Sequence, residues 1–107
     1  ADTEDDSRRL EYRRTALLRQ VQVNTGVVFE HRGMLLNAAA CYRSGATADP
    51  SHPRAFKLLG SAMFALGELQ LAKAALTQAA SLGGSSPSGE TLCDLGVTLQ
   101  ALGELTK

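Results

Sequence analysis

Tryptophan is absent from this 107-residue chain, and aromatic residues make up only 5% of it. A core must therefore come mainly from alanine and leucine, a composition poor in β-branched residues that favours helix. The formal net charge is zero, which removes any global electrostatic pull toward nucleic acid. No apolar run is long enough to span a bilayer, which takes about 18 residues or more. The opening ADTEDDSRR is acidic and polar, so it is not a secretory signal. The two cysteines, Cys41 and Cys93, form no C-x-x-C pair. They read as buried, reduced residues in the core or a groove of an intracellular, cytoplasmic protein rather than as a disulfide framework. Histidine is also scarce: His31 is placed at a helix C-terminus and His52 in a turn, and neither has the neighbours that metal or acid–base chemistry needs. No D-x-D-x-D-G loop, strand–glycine loop–helix or nucleophile constellation is present. The chain is therefore not expected to be an enzyme, and no metal or cofactor is expected.

What the chain does have is helical periodicity. The stretch Phe56 to Ala79 organises it. Phe56, Leu59, Gly60 and Met63 share one helical face, and Ala72, Leu76 and Ala79 share another beyond Gly67. In chain order, residues 1–7 are expected to be an acidic, frayed terminus. Ser7 then caps a helix that runs to about His31 and ends at Gly33. Five arginines between Arg8 and Arg19 read as a solvated face, with an anionic partner as the alternative; nearby acidic residues offset them. A second helix fades at Ala48. Ser51 is placed as the cap of a third, from about Pro53 to Leu66. A fourth runs from about Glu68 to Leu82 and stops at the left-handed signal Gly83-Gly84. After the turn Ser85-Ser86-Pro87-Ser88, a fifth helix ends at Gly103, and a sixth starts at Glu104.

The elements repeat. Gly26, Gly60 and Gly96 recur at spacings of 34 and 36 residues, and each is followed seven residues later by Gly33, Gly67 and Gly103. Leu66-Gly67-Glu68-Leu69 returns as Leu102-Gly103-Glu104-Leu105. A mid-helix glycine costs about 1 kcal/mol relative to alanine, so each first glycine is expected where a neighbouring helix approaches closely. Ala38 and Ala72 are the expected shallow spots opposite. Phe29, Met63 and Leu99 are expected to fill the space beside the contact.

This pattern resembles the tetratricopeptide repeat (TPR), a helix–turn–helix unit of about 34 residues. The likeness is strongest from Pro53 to Gly84, with Phe56, Leu59, Gly60, Met63, Ala72, Leu76 and Ala79 at the family's positions. The preceding stretch carries Gly26, Phe29, Ala38, Tyr42 and Pro50 but departs at Gln22, Thr25 and Gly45. The runs AFKLLGSAMFALGE and LCDLGVTLQALGE are also similar to TPR arrays of plant and algal proteins that carry EF-hands upstream. The resemblance implies an all-α, right-handed solenoid of about two and a half helix–turn–helix units. These units lie at about 19–52, 53–88 and 89–107, within a domain over residues 8–107.

For function, the resemblance implies a protein–protein interaction scaffold whose first helices line a concave groove for a peptide or partner helix. By register the groove residues are Val23, Asn24, Val27 and Glu30, then Lys57, Ser61 and Phe64 with Leu58, then Asp94, Val97 and Gln100 with Cys93. Relatives that clamp the C-terminal carboxylate of heat-shock chaperones use lysine, arginine and asparagine at places occupied here by Val23, Val27, Leu58, Glu90 and Asp94. Two of these are acidic, so that ligand is not expected. Neither nucleic acid nor membrane is expected as a partner. Leu92, Leu95, Leu99 and Leu102 form an apolar face open to self-association. The alternative reading is a structural spacer within a larger array, with no ligand of its own.

Overall fold

The computed structural model describes residues 2–83 and 88–105. Its elements are α1 (Asp2–His31), α2 (Leu35–Ala48), α3 (Pro53–Ala65), α4 (Leu69–Leu82) and α5 (Gly89–Leu105). There is no strand among the described residues. Consecutive helices pack on one another, and α3 also touches α5. Thus α1–α2 and α3–α4 are antiparallel hairpins stacked in sequence, and α5 adds a single helix to the second.

Glycine makes both hairpin turns. Gly33 and Gly67 have φ of 76° and 84°, a left-handed conformation that glycine adopts without steric cost. At each, the glycine N–H and the N–H that follows it reach back into the preceding helix. Gly33 donates to Glu30 O and Met34 to Phe29 O, both at 2.9 Å. Gly67 donates to Phe64 O at 3.0 Å and Glu68 to Met63 O at 2.9 Å. This Schellman arrangement satisfies carbonyls left over at a helix end.

The core is built of small residues closed by a few large ones. Ala38, Ala72, Tyr42 and Leu76 are fully buried, with Ala62 and Met63 nearly so. A second cluster joins Val23, Ala46 and Ala55 beneath Phe56 and Leu58. The equivalence of Ala38 with Ala72 and of Tyr42 with Leu76 is thus a shared role in packing. The glycines opposite accommodate bulk rather than alanine. A Cβ placed on Gly26 would lie 2.5 Å from Tyr42 Cε1, and one on Gly60 would lie 2.5 Å from Leu76 Cγ. Phe29 and Met63 pack beside these contacts, whereas Leu99 is exposed.

Several local expectations change. The helix expected from Ser7 begins at Asp2, so residues 2–7 belong to α1. His52, not Ser51, caps α3: its Nδ1 accepts from Arg54 N at 3.4 Å, with Pro53 at the first helical position. Ser51 is taken up by Asp49, to which its hydroxyl donates at 2.6 Å. Gly83 is right-handed, with φ of −71°; Gly84, and with it the turn over 85–87, lies outside the described residues. Helix α5 runs through Gly103 to Leu105, so no chain reversal occurs there. The sixth helix expected from Glu104 is not begun by Glu104 or Leu105, and residues 106–107 lie outside the described residues.

Candidate functional site

Helix α3 has two working faces. Phe56, Leu59 and Met63 turn toward the preceding hairpin and α4, and Lys57, Ser61 and Phe64 lie on the other side at helical spacing. That second face meets α5. Lys57 Nζ donates to Glu90 Oε2 at 2.8 Å, and Ser61 Oγ donates to Asp94 Oδ2 at 3.2 Å. The bond from Lys57 holds the Glu90 carboxyl below its ordinary titration range. Residues expected to grip a ligand therefore also fasten α3 to α5.

Above these bonds is a cleft of about 140 Å³ lined by Ser61, Phe64, Leu76, Asp94, Val97 and Thr98. Phe64 and Val97 are exposed at 37% and 49%. Between them the cleft offers two apolar side chains beside a carboxylate. Leu76 and Thr98 are the members that sequence reasoning missed. Thr98 is fully buried, and its hydroxyl donates to Asp94 O at 2.8 Å. That bond fixes the turn that carries Asp94. The only signal for it in the sequence is its position four residues after Asp94, on the same helical face.

The remaining register positions fall differently. Val23 is buried at 3% exposure and presents nothing to solvent. Asn24 is exposed, and Val27 is half-buried against the core. Glu30 is exposed and accepts from Tyr42 Oη at 2.9 Å. Burial first, then this bond to a carboxylate, pushes the Tyr42 phenol well above its ordinary value. Gln100 is exposed. Both cysteines are free thiols; Cys41 is half-buried and Cys93 exposed, so neither is a core residue. Of the arginines in α1, Arg19 does not belong to a solvated face: it pairs with Asp49 across the α1–α2 hairpin. Among the described residues no group of His, Cys, Asp or Glu is arranged to hold a metal ion. Among the described residues no helix is long and apolar enough to cross a membrane.

No family model matches the chain. Two uncharacterized TPR repeat-containing proteins of Arabidopsis thaliana are similar in sequence. One is 51% identical over 45 residues, 42% of this chain. The other is 49% identical over 43 residues, 40% of this chain. The matched segments amount to 6% and 5% of those proteins' lengths. Among solved structures, the Sgt2 TPR domain from Aspergillus fumigatus has a TM-score of 0.79 at 22% identity, covering 82% of this chain and 58% of that one. The first TPR of Spaghetti (RPAP3), solved bound to the HSP90 peptide SRMEEVD, has a TM-score of 0.75 at 25% identity, covering 85% and 72%. The five helices thus have the fold of a right-handed α-solenoid about two and a half helix–turn–helix units long.

Proposed function

We propose that this tetratricopeptide-repeat chain is a protein-interaction scaffold that binds a peptide or partner helix in the cleft between α3 and α5. The observation that carries the reading is the convergence of Phe64 and Val97, two exposed apolar side chains, beside the carboxylate of Asp94. Exposed aromatic and aliphatic anchors next to one polar group are a common arrangement for gripping a segment. The units fall at about 19–52, 53–88 and 89–107. The groove consists of Asn24, Val27 and Glu30 on α1, Lys57, Ser61 and Phe64 on α3, and Asp94, Val97 and Gln100 on α5. Val23 is left out because it is buried.

The charges favour a cationic or amide-bearing segment. Lys57 is already paired with Glu90, while Asp94 accepts one bond from Ser61 and Glu30 one from Tyr42. Each carboxylate has further acceptor capacity. The Spaghetti (RPAP3) structure holds an HSP90 peptide with the acidic ending EEVD. Glu90 and Asp94 would repel such an ending here. The exposed leucines of α5 provide a second contact surface, through which copies of the chain self-associate.

A displayed library of random dodecapeptides tests the groove. Enriched sequences are expected to pair an apolar residue with lysine or arginine. Their binding is expected to weaken about tenfold or more for F64S combined with D94A, with an unchanged helical circular dichroism spectrum. If no enriched sequence responds to that double substitution, the cleft between α3 and α5 is not a binding site.

A further inference from the structure

Two apolar hollows larger than the cleft lie elsewhere on the chain. They lie between α2 and α4, which both pack on α3 without packing substantially on each other. One hollow, of about 360 Å³, is walled by Arg43, Leu71 and Ala75 over a floor of Phe56, Leu59 and Met63. The other, of about 370 Å³, takes in Leu36, Ala39, Leu66 and Glu68. Arg43, Met63 and Leu71 line both, so the two form one continuous trough. The trough shares no lining residue with the cleft between α3 and α5.

Its walls match. Leu36, Ala40 and Arg43 descend α2 at helical spacing, and Leu71, Ala75 and Gln78 do the same on α4. Leu36 is 74% exposed and Leu71 50%. Small residues along the middle of both walls allow another backbone to come close, while leucines flank one end. Arg43 is exposed and has no ion-pair partner among the described residues. The trough is mainly apolar, and its one carboxylate, Glu68, forms no ion pair with Arg43, so the guanidinium is matched by a carboxylate carried on an apolar segment.

We infer that the α2–α4 trough is a second docking site, which takes an amphipathic helix of a partner protein with an acidic residue opposite Arg43 and leucine-sized residues on either side of it. The helical spacing of both walls favours a helix as occupant, and the paired hollows on either side of Arg43 receive its apolar side chains. The site is independent of the groove proposed above.

The test uses the full chain carrying F64S and D94A, which disables the cleft and leaves the trough intact. Random dodecapeptides selected on this protein are expected to carry Asp or Glu flanked by Leu, Ile or Phe at helical spacing. Synthesised and labelled for fluorescence anisotropy, they are expected to bind the parent chain equally well. R43E is expected to weaken them about tenfold or more, with R43K in between and the melting curve of each variant unchanged. Several results overturn the inference: no enrichment, enriched peptides that lack an acidic residue, or binding that survives both R43E and L71E. A light-scattering mass that falls to the monomer value on L71E puts a second copy of the chain in the trough and overturns it as well.

Discussion

Gly60 shows how much one missing methyl group decides. Leu76 is fully buried with its branched end against the Gly60 backbone. An added Cβ would come within 2.5 Å of Leu76 Cγ and 2.8 Å of its Cδ2. Real contacts are never so short, so G60A has to displace a packed leucine from the core. The expected loss is about 1–3 kcal/mol, the usual range for overpacking. Gly96 is its counterpart in the repeat, yet nothing stands within 4 Å of a Cβ placed there. G96A is therefore expected to stabilise the chain by about 0.5–1 kcal/mol through helix propensity alone. Urea denaturation of the two variants checks both signs, and equal effects would remove the packing explanation. The repeat spacing makes Gly26 and Gly60 legible as places of close approach, though not the openness of Gly96. It does not reveal everything that approaches: the tightest contact lies sixteen positions on, at Tyr42 and Leu76, while twelve on the Ala72 backbone oxygen stands 3.4 Å from a Cβ on Gly60 and Ala38 is not among the nearest neighbours of Gly26. Composition and period fix the helical face but not the tilt between helices, and the tilt selects the side chain that lands on the glycine.

At the scale of the element, periodicity located all five helices of the described residues, while their ends followed chemistry that spacing does not carry. Gly33 and Gly67 turn left-handed with reach-back hydrogen bonds, and in each case the next helix folds back onto the last. Gly103 sits in the same motif, yet it stays within α5. Glycine permits the left-handed turn; the returning helix stabilises it. The start of α3 was also open to misreading, because Ser51 and His52 both precede Pro53. Asp49 resolves the competition by accepting from both the amide and the hydroxyl of Ser51. His52 is left to cap the helix through Nδ1. Such a cap works only when Nδ1 is unprotonated. Burial, and then the positive charge of Arg19, lower the pKa of His52 below its ordinary 6.5. Below pH 6.5 the unfolded chain therefore binds more protons at this site than the folded one. The stability contributed by neutral His52 is complete above that pH and is lost as pH falls through the lower, folded value. Asp49 follows at more acid pH: the Ser51 hydroxyl, and then Arg19, hold it below 3.8. Thermal melts between pH 8 and pH 5 are expected to show a decline that H52N, which keeps a capping acceptor but does not titrate, removes. An identical decline in H52N would assign the effect to another group.

The molecule as a whole is a stack in which each helix is covered by the next, and α5 is the last described helix in that stack. On α3, the face carrying Gly60 is closed by α4. The corresponding face of α5, with Gly96 at its centre, leaves Leu92 49% exposed and Leu99 46% exposed. Leu95 and Leu102 lie half-buried beside them. A face shaped to receive a helix is costly to leave in water, since each leucine gains about 1.5–3 kcal/mol on full burial. A second copy of the chain can supply cover, because α1 carries its own exposed row of Leu10, Leu17, Leu18 and Val21. Packing α1 of one copy against α5 of another is a head-to-tail contact, which extends into a series unless the rotation closes. The mass measured by light scattering is accordingly expected to rise with concentration, without a plateau at the dimer. Replacing Leu92 and Leu99 together by glutamate is expected to return the chain to a monomer, and L17E with L18E on α1 to do the same. An equimolar mixture of the two charged variants is then expected to form dimers and stop, because each retains one intact surface. A wild-type mass that stays monomeric up to millimolar concentration excludes this contact. A mixture that remains monomeric while the wild type associates places the contact elsewhere on the surface.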